Sequence, residues 1–171
     1  VNETVRILGI DPGSRVTGFG VLDSDGIRSR HVTSGCIRAQ GDELGARLAS
    51  IFDGVRAIVR DCRPTQVAVE RVFVSRNADS ALKLGQARGA AICATLEFDV
   101  ELHEYAARSV KQAVVGRGGA DKIQVQHMVR ALLALDQLPM ADEADALAVA
   151  LCHAHHWPLA ARAAALAELR R

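Results

Sequence analysis

The chain has 171 residues, 49% of them hydrophobic and 24% charged, a size and mixture that give one globular domain with a real core and exclude disordered or collagen-like chains. Its 21 Lys and Arg against 20 Asp and Glu leave a net charge of +1, a total that by itself speaks against life on a polyanion such as DNA. No apolar run approaches the roughly 20 residues of a membrane helix, the opening Val1-Asn2-Glu3 lacks the basic start of a signal peptide, which points to the cytoplasm, and the four cysteines, without C-x-x-C or disulfide-framework spacing, read as small buried hydrophobes.

Residues 5–10 are apolar and rich in β-branched side chains, and Asp11-Pro12-Gly13-Ser14 ends them as a turn. Residues 16–22 alternate, Asp23-Ser24-Asp25-Gly26 turns the chain again, and 27–37 continue in an extended pattern, so the opening reads as a three-strand antiparallel meander. From 42 to 62 the apolar residues Leu44, Leu48, Ile51, Phe52, Val55, Ile58, Val59 and Cys62 take helical spacing, which Pro64 ends. A strand over 66–70 and an irregular stretch 71–76 lead to Asn77, an N-cap for a helix to about 97. A strand over 100–105 precedes a helix over 106–115 that Gly116-Arg117-Gly118-Gly119 stops, and helical patterns return over 121–135 and 142–156 before an Ala-rich tail, 158–171. With no repeat or linker, 1–171 is expected to be one domain with its core in about 5–157. Strands in a meander followed by alternating helices and strands predict a mixed α/β sheet flanked by helices. The strands ending at Asp11 and Glu70 would be parallel neighbours about 4.8 Å apart.

Two carboxylates at the ends of adjacent inner strands are costly unless something positive neutralises them. Asp142 and Asp145, three apart at a helix start, share one face of that helix, whereas Glu143 points about 100° away from Asp142. Each acid alone has a structural explanation, as turn former, N-cap or first-turn charge. Four acids from three elements, without a matching His or Cys cluster, suit Mg²⁺, or Mn²⁺ in its place, better than zinc. Two such ions roughly 3.5–4 Å apart can generate hydroxide and stabilise the leaving oxygen of a phosphodiester.

The segments Ile7-Leu8-Gly9-Ile10-Asp11-Pro12-Gly13-Ser14, Val69-Glu70-Arg71-Val72-Phe73, Asn77 through Gly89, and Ala141 through Ala148 resemble the bacterial RuvC Holliday-junction resolvases in order and spacing from about Arg6 to His156. The resemblance implies an RNase H-like fold, a homodimer and Mg²⁺-dependent paired nicks in a four-way DNA junction during recombination and repair, beside the branch-migration proteins RuvA and RuvB. It places the metal-binding acids at Asp11, Glu70, Asp142 and Asp145. Position 142 is His in some relatives, and Glu143 stands where relatives carry a neutral residue.

Lys83, Lys111 and Lys122 are the only lysines. Lys111 and Lys122 bracket the glycine loop containing Arg117, and a glycine-rich turn feeding a helix N-terminus offers N–H groups to phosphate. By resemblance the two lysines act near the scissile phosphate. Phe73, between Arg71 and Arg76, suits base stacking, and by resemblance it contacts bases at the opened crossover. Gly85 and Gly89, set among the small side chains of Ala87, Ala90 and Ala91, weaken their helix unless it makes close contacts, either with its own sheet or, as the resemblance suggests, with a second copy. His153, His155 and His156 are expected at an exposed helix end. An RNase H-like enzyme acting on RNA, an actin-like nucleotide-binding domain and a junction-binding protein without cleavage are the rivals. The match through Asn77–Gly89 disfavours the first, the missing second lobe and phosphate loop the second, and the complete set of acids the third. The charge is also segregated: Arg71, Arg76, Lys83 and Arg88 against Asp79 make residues 71–91 net +3, and Arg108, Lys111, Arg117, Lys122 and Arg130 against Asp121 make 105–130 net +4. The remainder is left at −6, of which the four proposed ligands supply −4.

Overall fold

The computed structural model describes residues 4–71 and 77–168, the backbone alone for 158–168. Strands β1 (Val5–Asp11), β2 (Val16–Ser24) and β3 (Ser29–Arg38) form the expected meander. Helix α1 (Leu44–Cys62) ends at Arg63, whose left-handed backbone turns the chain into Pro64. Strand β4 (Gln66–Arg71), helix α2 (Ala78–Leu96), strand β5 (Glu101–Ala106), and helices α3 (Ala107–Val115), α4 (Lys122–Leu132) and α5 (Ala141–Glu168) follow. The sheet order is β3-β2-β1-β4-β5, antiparallel through the meander and parallel from β1 to β4 to β5.

Alternation along the strands divides the core in two. Leu8, Ile10, Val21, Val67 and Val69 face α1 and α2, where Ile51, Val55, Val59, Ala87, Ala91 and Ala94 complete the packing. Val5, Ile7, Leu22 and Ala68 face the opposite layer, built from α3, α4 and α5. Helix α5 reaches the sheet closely because Gly9 and Gly20 carry no side chain. A Cβ on Gly9 would lie 2.1 Å from the Ala146 carbonyl oxygen, and one on Gly20 would lie 2.5 Å from Leu147 Cδ2.

Two helices differ from expectation. Helix α4 stops at Leu132, not 135, because Ala134 adopts a left-handed φ of 50° and Leu135 N–H turns back to the Arg130 carbonyl. Helix α5 continues through Glu168, past Pro158 and into the Ala-rich segment, where good helix formers compensate for the missing donor.

His153 corrects the reading of an exposed histidine cluster, since it is buried between α5 and the sheet. Its Nε2 lies 2.8 Å from Gln66 Oε1, its Nδ1 2.7 Å from the Tyr105 hydroxyl, and its ring stacks on His103. Burial drives its pKa down to about 3, with His103 and His156 adding to the effect. The neutral ring therefore gives its Nε2–H to Gln66 and accepts from Tyr105. His155 and His156 are exposed, as expected.

Candidate active site

The β1–β4 register pairs Ile10 with Val69, so Asp11 and Glu70 stand side by side where the parallel strands end. Asp11 is paired on its other side with Gly18, and Glu70 with Tyr105. Gly18, Asp11, Glu70 and Tyr105 consequently form a row across the sheet on the face that α5 covers. The backbone at the start of α5 rests on this row, where a Cβ on Gly18 would fall 1.9 Å from the Asp142 carbonyl oxygen. Asp142 and Asp145, one helical turn apart and both half-buried, are thereby delivered to the strand ends. The turn after β1 is held by Thr17, whose hydroxyl bonds Gly13 on both backbone sides at 3.2 and 3.3 Å.

The electrostatics show how crowded the four acids are. Burial, then the charges of Asp145, Glu70 and Asp142, push Asp11 up to about 7, against the opposing pull of Lys122. Glu70 is raised by burial and by Asp145, while Lys111 and Lys122 oppose the rise. Lys122, in the first turn of α4, donates to Asp145 Oδ2 at 3.2 Å, and that partner holds its ammonium above the ordinary lysine value. One lysine does not balance the carboxylates it faces. Among the described residues, however, no three His, Cys, Asp or Glu side chains stand close enough together to hold a metal ion as they are placed.

The glycine loop also differs from expectation. The N-terminus of α4 is closed by a capping box in which the Asp121 side chain accepts from Gln124 N–H and the Gln124 side chain accepts from Asp121 N–H. Those donors are occupied and an acid sits among them, so Lys122, rather than the helix end, is the cation directed at the strand ends. Arg117 is exposed on the loop, and Arg108 packs under Gly118. Arg71 is exposed at the end of β4. Lys83 is exposed and paired with Asp79 at 2.6 Å. Phe73 and Arg76 lie outside the described residues.

The small residues of α2 lie on two faces. Ala87, Ala91 and Ala94 are fully buried against the protein's own core. Gly85 and Gly89 face open space, in line with the exposed Leu82, Cys93 and Leu96.

Arg88 and Glu143 also tie elements together beside the site acids. Arg88 reaches from α2 to the Glu70 carbonyl at 3.4 Å and pairs with Glu104 on β5, tying this helix to the strand that carries a site acid. Its only sequence signal is a cation inside a run of small residues. Glu143 bonds the backbone before α5 and Ser34, the latter a contact that needs the β3 register to be known.

Comparison with known proteins gives a consistent family. The model described as crossover junction endodeoxyribonuclease RuvC matches residues 7–153. A crossover junction endodeoxyribonuclease RuvC of Aromatoleum aromaticum is 60% identical over 150 residues, 88% of this chain and 81% of the relative. The Thermus thermophilus RuvC structure is similar with a TM-score of 0.81 and 35% identity, covering 91% of this chain and 96% of that one. T. thermophilus RuvC in complex with a Holliday junction substrate is similar with a TM-score of 0.81 and 33% identity, covering 90% and 96%. The mixed sheet with its helical layers is accordingly the RNase H-like fold.

Proposed function

Because the chain belongs to the RuvC family of crossover junction endodeoxyribonucleases, we propose that it resolves four-way DNA junctions by paired, symmetric phosphodiester hydrolysis. The observation that carries this reading is the row of Asp11 and Glu70 at adjacent strand ends with Asp142 and Asp145 laid over it by α5. The donor set fits a hard divalent cation. All four groups are carboxylates, and burial first, then the charges of Asp145, Glu70 and Asp142, hold Asp11 up at about 7 against the pull of Lys122.

Asp11, Glu70, Asp142 and Asp145 would hold Mg²⁺, or Mn²⁺ in its place, as two ions per site. Bound there, the metal supplies a nucleophilic hydroxide at neutral pH and Lewis-acid stabilisation of the phosphate oxygens. The chain's own residues do the rest. Burial of Asp11 and Glu70 keeps the carboxylates in a medium where charge interactions are strong. Lys122 and Lys111 bring positive charge to the same edge for the phosphate, and Lys122 can exchange Asp145 for it. Arg71, Arg76, Lys83 and Arg117 would contact the DNA backbone, and Phe73 would stack on bases opened at the crossover.

Two symmetric cuts require two sites related by a two-fold axis. The exposed α2 line of Leu82, Gly85, Gly89, Cys93 and Leu96 supports a homodimer, since the glycines admit close backbone approach and the leucines, 62% and 57% exposed, have apolar surface to bury. Family membership supports work beside RuvA and RuvB in the cytoplasm, with residues 1–171 acting as one domain. Among the described residues, no helix is long and apolar enough to cross a membrane.

The test is a labelled four-way junction incubated with the protein and Mg²⁺, beside a linear duplex of the same sequence. The expected result is a pair of nicks in two strands of like polarity, lost on chelation, with the duplex left intact. Equal cutting of the duplex, or cleavage insensitive to chelation, would refute the proposal.

A further inference from the structure

The first turn of α5 carries two of the four site acids, and the side chain that anchors this turn is a fifth one, Glu143. The helix opens with Ala144 N–H bonded to the Met140 carbonyl at 2.8 Å, which makes Met140 the cap residue. A methionine has no side-chain oxygen with which to satisfy the helix end. Glu143, three residues on, turns back and accepts the Met140 N–H on Oε2 at 3.0 Å, half of a capping box. Its other oxygen, Oε1, accepts the Ser34 hydroxyl at 2.6 Å, and Ser34 Oγ is 2.8 Å from His31 Nε2. Ser34 pairs with Gly20 on β2, two residues beyond the Gly18 that meets the Asp142 carbonyl. A continuous hydrogen-bonded chain, His31 to Ser34 to Glu143 to Met140, therefore ties the outer strand β3 to the start of α5.

We propose that Glu143 is a positioning residue for cleavage, holding the α5 start in the one setting that presents Asp142 and Asp145 to Asp11 and Glu70. The inference rests on the junction-cleavage reading and adds to it a residue that does not touch metal or DNA. Both Glu143 oxygens are already engaged, Oε1 by Ser34 on β3 and Oε2 by the Met140 N–H, so Glu143 is not a fifth ligand despite its neighbours. The contact it supports has no slack. With the Asp142 carbonyl seated directly on Gly18, a small rotation of α5 moves both aspartates relative to strand ends that cannot follow.

Glu143→Ala, Glu143→Gln and Ser34→Ala separate geometry from charge. A glutamine keeps the Met140 N–H bond through its oxygen and can donate its amide N–H to Ser34 Oγ, so it preserves the tie while removing the charge. Glu143→Ala is expected to lower kcat for junction cleavage about tenfold with junction Kd within about twofold, and to weaken Mn²⁺ binding to the free protein, read by electron paramagnetic resonance, about tenfold. Glu143→Gln should stay within about threefold of the parent in both readouts. Ser34→Ala should reproduce part of the alanine defect, and combining it with Glu143→Ala should add nothing further. Wild-type kcat and Mn²⁺ binding in Glu143→Ala would overturn the proposal, as would a glutamine variant as impaired as the alanine one. If the unaltered protein fails to cut junctions, it is the cleavage reading that falls, and the Mn²⁺ titration still decides the role of Glu143.

Discussion

Asp11→Asn is expected to reduce junction cleavage by about 10³-fold or more, to leave junction binding within about threefold, and to make the metal-free protein more stable above pH 7. The rate loss follows from removing the carboxylate at the end of β1, beside Glu70, since several kcal/mol of metal-borne stabilisation would correspond to at least three decades in rate. The gain in stability follows from the pKa of Asp11, about 7 in the folded protein against an ordinary 3.8. A folded-state value above the unfolded one means that the native state favours the protonated acid. The penalty is absent below the unfolded value, grows as the pH rises, and is complete once the pH passes about 7, where it is on the order of 4 kcal/mol. Asparagine cannot ionise and escapes it. Urea unfolding of both proteins without divalent metal at pH 5 and pH 8 checks this: the variant's advantage should be larger at pH 8. An advantage that shrank from pH 5 to pH 8, or cleavage that survived the substitution, would contradict the assignment.

Gly9→Ala and Gly18→Ala are expected to be among the most damaging single-methyl substitutions in the protein. The atoms in the way are backbone: the Ala146 carbonyl oxygen 2.1 Å from a Gly9 Cβ and the Asp142 carbonyl oxygen 1.9 Å from a Gly18 Cβ. No rotamer change relieves such contacts, so α5 must move off the sheet. Overpacking of this kind costs about 3 kcal/mol or more, a large share of a total stability of roughly 5–15 kcal/mol. Gly18→Ala carries a further cost to activity, because the displaced segment is the one bearing Asp142 and Asp145. Denaturant unfolding of both variants within 0.5 kcal/mol of the parent would show that α5 does not pack as described.

Local signals marked the strands and most helix bounds well. Pro64, the Asn77 cap and Gly116 each impose their geometry over one or two residues, and the structure ends or starts elements where they stand. The site acids were legible for a related reason: a carboxylate directly after an apolar strand is conspicuous because burying it costs energy. Some of the features not foreseen depend on register. His153 looked like one of three histidines at a helix end, yet the β4 and β5 alternation puts Gln66, His103 and Tyr105 around it. The role of Glu143 depends on Ser34, which β3 brings to it. The α4 end was missed because Ala134 takes a left-handed turn that nothing in an alanine announces. The buried and open faces of α2 separate only when its packing is known, since alanine and glycine at helical spacing suit either a sheet or a second copy.

That the four crowded carboxylates form a divalent-cation site is tested most directly by following the Asp11 carboxyl carbon by NMR across a pH titration, with and without saturating Mg²⁺. Without metal the midpoint should lie near 7. With Mg²⁺ it should fall well below that, since a bound cation favours the ionised acid as strongly as its neighbours oppose it. A midpoint that Mg²⁺ leaves unchanged would contradict the assignment of Asp11 as a metal ligand.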